Sequence, residues 1–182
     1  MLETSAARTL RAMFPTIRQL RSQEDLQECV SLLRVAFGTV AKDFELTEES
    51  APTNAAFTTF ENLSRHLQNG LALYGMFVES GLVGCVAIKQ AKADKAVYYI
   101  ERLAVAPDKR HRGYGGQLLS FSIGRILERG GATASIGLVD SNDRLKKWYG
   151  SKGFVQHDRR RVEHLPFKVR FMSMDMRGCG RG

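Results

Sequence analysis

"RHRGYGG", Arg110 to Gly116, sets three glycines among three bases and one tyrosine. The run before it, "VYYIERLAV" from Val97 to Val105, is β-branched and aromatic and reads as a strand, closed by Pro107, which cannot donate to a ladder. After it, Leu119, Ile123, Ile126 and Leu127 recur at the spacing of one helix face, up to a stop at Gly130-Gly131. The stretch therefore joins a strand to a helix. Glycine lets the backbone turn sharply and lets a ligand approach N–H groups with no Cβ in the way. The helix that starts here adds unpaired N–H groups and the positive end of its dipole, and Arg110, His111 and Arg112 add charge. Such a place suits a pyrophosphate. A tight turn is the alternative, and the glycine spacing alone does not choose.

Working outward, the periodicity gives the order of elements. Thr16 to Leu20 alternates as a first strand. Ser22 with Asp25 resembles a capping arrangement for a helix carrying Leu26, Cys29, Val30, Leu33 and Phe37, with Gly38 as its stop. The acidic segment around Asp43, Glu45, Glu48 and Glu49 reads as a loop, and Thr53 or Asn54 can cap a second helix through Ala56, Phe60, Leu63 and Leu67. "LYGMFVESGLVGCVAIKQ" is a hairpin about a tight Ser80-Gly81 turn, and a third run spans Ala96 to Val105. Beyond the glycine stretch come a strand "TASIGLV", a helix with Leu145, Trp148 and Tyr149, a strand from Phe154, and the alternating "KVRFMSMDM". Three antiparallel strands followed by a strand–helix–strand crossover predict a mixed, mostly antiparallel sheet of about seven strands with helices on both faces, an α/β (α+β) fold. That order argues against nucleotide folds. A Walker loop needs Gly-Lys-Ser/Thr, which is absent, and a dinucleotide fold wants its glycines after an early strand of a parallel sheet.

Composition bounds the rest. The chain has 182 residues, 43% apolar and 25% charged, enough for one globular domain. Residues 1–15 read as an N-terminal arm, 16–177 as the domain and 178–182 as a Gly-rich tail. No stretch reaches the roughly 18 apolar residues of a membrane span, and the first residues lack a signal-type apolar segment, so a cytoplasmic protein is expected. Cys29, Cys85 and Cys179 have no paired spacing, and Cys29 and Cys85 lie in apolar patterns as core residues. The histidines His66, His111, His157 and His164 show no ligand spacing, so no metal is expected. The net charge of +8 gathers at "DKRHR", "RLKK" and "DRRR", but few aromatics interleave with these bases, which disfavours nucleic acid as the partner. The last strand, "RFMSMDM", offers a homodimer edge if it is left unpaired.

"LAVAPDKRHRGYGGQLL" resembles the acyl-coenzyme A loop of the GNAT N-acetyltransferase superfamily, Arg/Gln-x-x-Gly-x-Gly/Ala. About thirty residues on, "NDRLKKWYGSKGF" is similar to the family's second signature, with Asn142, Tyr149, Gly153 and Phe154 in register. Leu145 and Trp148 depart from the usual alanine and leucine, and Gly150 inside the helix is less usual. The resemblance spans Ile17 to Met176 and implies a GNAT-like fold with acetyl-coenzyme A as donor and an amine as acceptor. The main chain of Leu103, Ala104 and Val105 would pair with the pantetheine arm like an added strand. N–H groups of Arg110, His111, Arg112, Gly113, Tyr114 and Gly115, with Gly116, would hold the pyrophosphate. Asn142 would hydrogen-bond the pantetheine, and Tyr149 would face the thioester sulfur as general acid.

An acceptor amine must shed a proton before it attacks, which asks for a base. Glu101 is the candidate. In strict alternation it shares a face with Val97, Tyr99, Leu103 and Val105, and a carboxylate in an apolar row suits a base. A β-bulge would shift that parity, a charge pair with Arg102 is the other reading of Glu101, and a water chain can replace it. Cys85 lies in the hairpin, away from the thioester, so direct attack in a ternary complex is expected over a cysteine ping-pong route. The oxyanion would meet a main-chain N–H near Val105. A non-catalytic acyl-coenzyme A sensor is the alternative function. The acceptor side would be built from Val40 to Phe57 and from the stretch near His157 to Phe167.

Overall fold

The computed structural model describes residues 14–162 and 165–178. The expected arm up to residue 13, His164 and Cys179 lie outside the described residues. Seven strands form one sheet in the order β1-β2-β3-β4-β5-β7-β6: β1 (Thr16–Gln19), β2 (Ala72–Val78), β3 (Gly81–Gln90), β4 (Val97–Val105), β5 (Thr133–Val139), β6 (Val155–Arg161) and β7 (Lys168–Asp175). The β4–β5 pair is parallel and the remaining pairs are antiparallel. Four helices complete the fold: α1 (Gln23–Asp43), α2 (Phe60–Gln68), α3 (Tyr114–Glu128) and α4 (Asp143–Gly150). The mixed sheet with helices on both faces is the fold that the element order predicts.

Alternate side chains of each strand supply two cores. On one face Val86, Ile88, Tyr98, Ile100, Ile136 and Leu138 pack with Leu118, Leu119 and Ile126 of α3 and Tyr149 of α4. On the other, Leu73, Cys85 and Ala87 meet Cys29 and Leu33 of α1 and Leu63 of α2. Cys29 and Cys85 are free, buried thiols in that second core, and the Cys85 thiol is pushed up by its hydrogen bond with Cys29 and by burial. At Gly84 the strands and α3 come too close for a side chain: a Cβ there would stand 2.8 Å from the Ala104 carbonyl oxygen and 2.9 Å from Leu118 Cδ1.

Ser22 and Asp25 form the expected capping box at α1. Four expectations change. The first helix does not stop at Gly38 but runs to Asp43. Glycine inside a helix costs about 1 kcal/mol, and packing of the extra turn offsets it: Ala41 is buried with Leu46, Ala51 and Ala56. The second helix is two pieces, because Asn54 caps only a 3-10 turn, Ala55–Phe57, and extended Thr58 and Thr59 intervene before Thr59 caps α2. In the hairpin the turn residues are Glu79 and Ser80, both left-handed (φ 50° and 72°) as a two-residue loop demands, and Gly81 already belongs to β3. The last strand is no dimer edge: β7 lies between β5 and β6, which leaves β6 outermost.

The basic clusters of the second half are partly neutralised within the fold. Arg159 and Arg170 share Asp140 at 3.4 and 2.8 Å, Lys146 pairs with Asp143 at 2.8 Å, and Arg160 pairs with Asp158. No helix among the described residues is long and apolar enough to cross a membrane.

Candidate active site

The sheet opens in its middle. β4 pairs with β5 only through Val97–Thr133, Tyr98–Ala134 and Tyr99–Ser135. Past Tyr99 the two strands part, so Ile100 to Val105 keeps β3 on one side and has no strand on the other. Near the C-terminal end, Ala106 N–H donates to the Val83 carbonyl at 2.9 Å. In an antiparallel ladder the neighbouring residue, Val105, then turns its main-chain groups away from β3 toward the gap. An unpaired strand segment of this kind is a template for an extended ligand.

A β-bulge interrupts β4 at the gap. Cys85 lies opposite Ala104 and Ala87 opposite Glu101, so two steps of β3 match three of β4, and Arg102 takes a left-handed conformation (φ 52°). The extra residue resets the alternation. Leu103 and Val105 pack with the α3–α4 core, whereas Ala104 joins the α1–α2 core. Glu101, paired with Ala87, stays on the α1–α2 face. The strict alternation that put Glu101 beside Leu103 and Val105 is therefore corrected. Nor does its carboxylate sit in an apolar row, because Glu101 Oε2 accepts from Arg102 Nη1 at 3.0 Å.

At the end of β4, the chain makes a 3-10 turn, Pro107–Lys109, and enters the glycine stretch. His111 and Gly113 are left-handed (φ 63° and 81°), and Gly113 is the N-cap of α3. The first main-chain bond of α3 is Gln117 N–H to the Gly113 carbonyl at 3.1 Å. Six consecutive N–H groups, His111 to Gly116, have no acceptor among the described residues. An ordinary helix start leaves four. Gly113 and Gly116 face open space, with nothing within 4 Å of a notional Cβ. Arg110 turns the other way: its Nη2 donates to the Ala36 carbonyl at 2.8 Å and Thr39 Oγ1 at 3.1 Å, and its Nε to the Val105 carbonyl at 3.4 Å. Its side chain ties the loop to α1 and β4, while His111 and Arg112 are exposed.

The helix α4 closes the same corner. Asn142 is its N-cap, with Oδ1 accepting from Leu145 N–H at 3.0 Å, which leaves Nδ2 as a donor. Trp148 lies against the start of α3, its Cζ2 3.7 Å from a notional Gly115 Cβ that also neighbours Val105 and Leu103. Tyr149 is buried, edge-on to Trp148 and Phe154 with ring centroids 4.8 and 5.5 Å away. Burial raises the pKa of its hydroxyl, which stays protonated at neutral pH. The gap edge of β4, the glycine loop and the Asn142–Tyr149 helix thus meet on one face of the sheet, with Glu101 on the opposite face.

The family model for the acetyltransferase (GNAT) domain matches residues 41–177. The chain belongs to the GNAT acetyltransferase family. Among solved structures of similar fold, the PaiA N-acetyltransferase of Thermoplasma acidophilum in complex with coenzyme A has a TM-score of 0.72 at 20% identity, covering 90% of this chain and 99% of that one. The ribosomal-protein-S18-alanine N-acetyltransferase of Escherichia coli gives 0.69 at 18%, covering 89% and 94%. A GNAT family acetyltransferase of Elizabethkingia anophelis with acetyl-CoA bound gives 0.61 at 18%, covering 88% and 97%. A search of curated proteins finds no match.

On the other face of this GNAT domain Arg102 pairs with Glu101, as one reading of the sequence has it, though nothing in a β-like run marks it as the residue that will bulge. His66, which the sequence showed only to lack ligand spacing, lies on α2. Leu63 and Leu67 pack into the α1–α2 core, and His66, one turn on from Leu63, is half-buried. Its pKa is lowered by burial and by the Arg102 charge, against an opposing pull from Glu101. Further along, Phe37, Phe44 and Phe57 pack around Ala41, Leu46, Ala51 and Ala56 together with Leu165 and Phe167. That cluster brings together the two segments expected to line the acceptor side. The carboxylates of Asp43, Glu45, Glu48 and Glu49 are exposed. Among the described residues no group of three or more His, Cys, Asp or Glu could hold a metal ion.

Proposed function

We propose that this chain moves an acetyl group from acetyl-coenzyme A to a primary amine by direct attack in a ternary complex. The observation that carries the reading is the row of six unsatisfied N–H groups, His111 to Gly116, at a helix start. These donors stand open rather than sealed in the core, and the oxygens of a diphosphate would supply them with acceptors of the right charge. The neighbours support the same donor, since PaiA is described in complex with coenzyme A and the Elizabethkingia protein with acetyl-CoA.

In this reading the pantetheine arm adds to the free side of β4 along Leu103, Ala104 and Val105, and Asn142 Nδ2 donates to it. The donor lies on the α3–α4 face with Tyr149, and the acceptor comes from the α1–α2 face, where Glu101 stands. The two meet where β4 and β5 part. The amine gives a proton to the Glu101 side and its nitrogen attacks the thioester carbonyl. The oxyanion is met by a main-chain N–H near Val105. As the C–N bond forms and the C–S bond breaks, the leaving thiolate takes the Tyr149 proton, and the second proton of the amine nitrogen, shed as the amide forms, restores the Tyr149 hydroxyl. Burial keeps the Tyr149 proton on the hydroxyl until the thiolate develops beside it.

No observation favours a sensor without turnover. The test is release of free thiol from acetyl-coenzyme A with a panel of primary amines and peptide N-termini. Turnover with at least one amine is expected. Cofactor binding without turnover across the panel would leave only the sensor.

A further inference from the structure

We propose that the free edge of β6 takes an acidic, extended segment of a partner protein as an added strand. Three observations from one corner of the fold carry this, independently of the acetyl-transfer reading. The first is the edge itself. β6 ends the sheet, with β7 on one side and no strand on the other, and all of its residues but Asp158 are exposed. A strand so placed carries a row of main-chain groups that another chain can pair with. The second is a groove of about 600 Å³ between that edge and α4. Lys146 and Lys147 line it from the helix, Val155 and Gln156 from the strand, and Phe154 and Met172 from the core below. Val155 is 69% exposed. Asp143, also on the helix side, is held by Lys146 at 2.8 Å. Apolar walls beside lysines suit an apolar residue flanked by carboxylates.

The third observation is charge. Side chains alternate across a strand, so Lys168 and Arg170 of β7 share the face of Met172, which packs with the α3–α4 core. Directly opposite them in the β6 register stand Arg161 and Arg159. Both cross-strand pairs are therefore like-charged, an arrangement that costs stability. Among the described residues Asp140 answers this block, accepting from Arg159 at 3.4 Å and from Arg170 at 2.8 Å. Asp158 and Glu163 are the other carboxylates in the sequence from Val155 to Arg170, and with them the cations still outnumber the acids. Charged edges keep a strand from pairing with its own kind, and two copies of β6 would set arginine rows against each other. An acidic strand meets the same row with complementary charge. On this face its side chains would fall at every second residue, an apolar one in the groove beside Gln156 and carboxylates toward Arg159 and Arg161. A free strand edge also favours a protein over a nucleic acid, whose backbone has no amides to pair.

The experiment titrates the full chain, at low salt, into a fluorescent peptide blocked at both ends, Leu-Thr-Glu-Thr-Glu-Thr-Glu. The comparisons are the same peptide with lysine for glutamate, the same peptide N-methylated at every amide, which keeps the charges and removes the ladder donors, and a single-stranded RNA. The acidic peptide should bind and protect the amides of Val155–Arg161 from hydrogen exchange. Both altered peptides should bind more weakly by about tenfold or more. Lys168→Glu turns the like pair opposite Arg161 into an attractive one, so Tm should rise while peptide affinity falls. Lys147→Gln should lower the affinity with Tm unchanged, and Lys168→Gln carries the affinity expectation if glutamate does not fit. The proposal is overturned if the acidic peptide does not bind, if the lysine or N-methylated peptide binds as well, or if protection falls outside β6. A Lys168→Glu chain with raised Tm and unchanged affinity would overturn it too. RNA that binds these residues tighter than the peptide would make the patch a nucleic-acid surface instead.

Discussion

The two faces of the sheet are built by different means. On the α3–α4 face the candidate site is mostly main chain: six N–H groups at a helix start, a strand edge without a partner, and a capping asparagine. On the α1–α2 face it is side chains from separate segments, with Glu101 and Arg102 from a bulge, His66 from α2, and aromatic residues gathered from Phe37 to Phe167. Main-chain chemistry needs special backbone conformations, and these need glycine and cap residues at set spacings. Side-chain clusters need only proximity, which tertiary structure provides and local sequence does not record.

The contrast can be broken or sharpened by substitution. Tyr149→Phe should have the largest effect, a fall in kcat of roughly 100-fold. Coenzyme A affinity should not move, since the ring keeps its packing on Trp148 and Phe154. The wild-type kcat should also decline only above the ordinary tyrosine range, because burial raises the Tyr149 pKa, and the Phe variant should lack that limb. A variant as fast as wild type would remove Tyr149 from the chemistry. Next comes Gly113→Val. A β-branched residue at φ 81° is strained by about 1–2 kcal/mol, and relaxing that strain moves the N–H row. Calorimetry should show coenzyme A binding weaker by about tenfold or more, whereas unchanged affinity would mean the left-handed N-cap does not position the donors.

Arg110→Ala should act more through stability than through charge. It removes donors to Ala36, Thr39 and Val105 and should cost about 2 kcal/mol, read as a lower Tm, with coenzyme A binding weakened several-fold. A large loss of affinity with Tm unchanged would instead make Arg110 a phosphate ligand. Smallest is the acidic loop. Replacing exposed Glu45, Glu48 and Glu49 by glutamine should change amine KM less than about twofold, and a larger rise with cationic amines would make the loop part of the acceptor site.

The same physics explains what could be read from the sequence. The order of strands and helices followed from apolar period, and the proposed donor side rests on "RHRGYGG" together with the family resemblance of Asn142 and Tyr149, two turns apart along one helix face. Gly38 misled because a glycine penalty is local, while the burial of Ala41 that outweighs it is tertiary. The face of the candidate base Glu101 was misread, since the bulge at Arg102 depends on how β3 and β4 pair rather than on any residue type that favours bulging. The position of β7 inside the sheet was also hidden, because alternation shows that a strand has two faces and not who its neighbours are.

One measurement bears most directly on the reading: calorimetric titration of the wild-type chain with coenzyme A and, in parallel, with pantetheine, which lacks the diphosphate. If the free amides from His111 to Gly116 are the seat, coenzyme A should bind tighter than pantetheine by roughly 100-fold, a difference of about 2.7 kcal/mol. Equal affinities, or no binding of either, would contradict it.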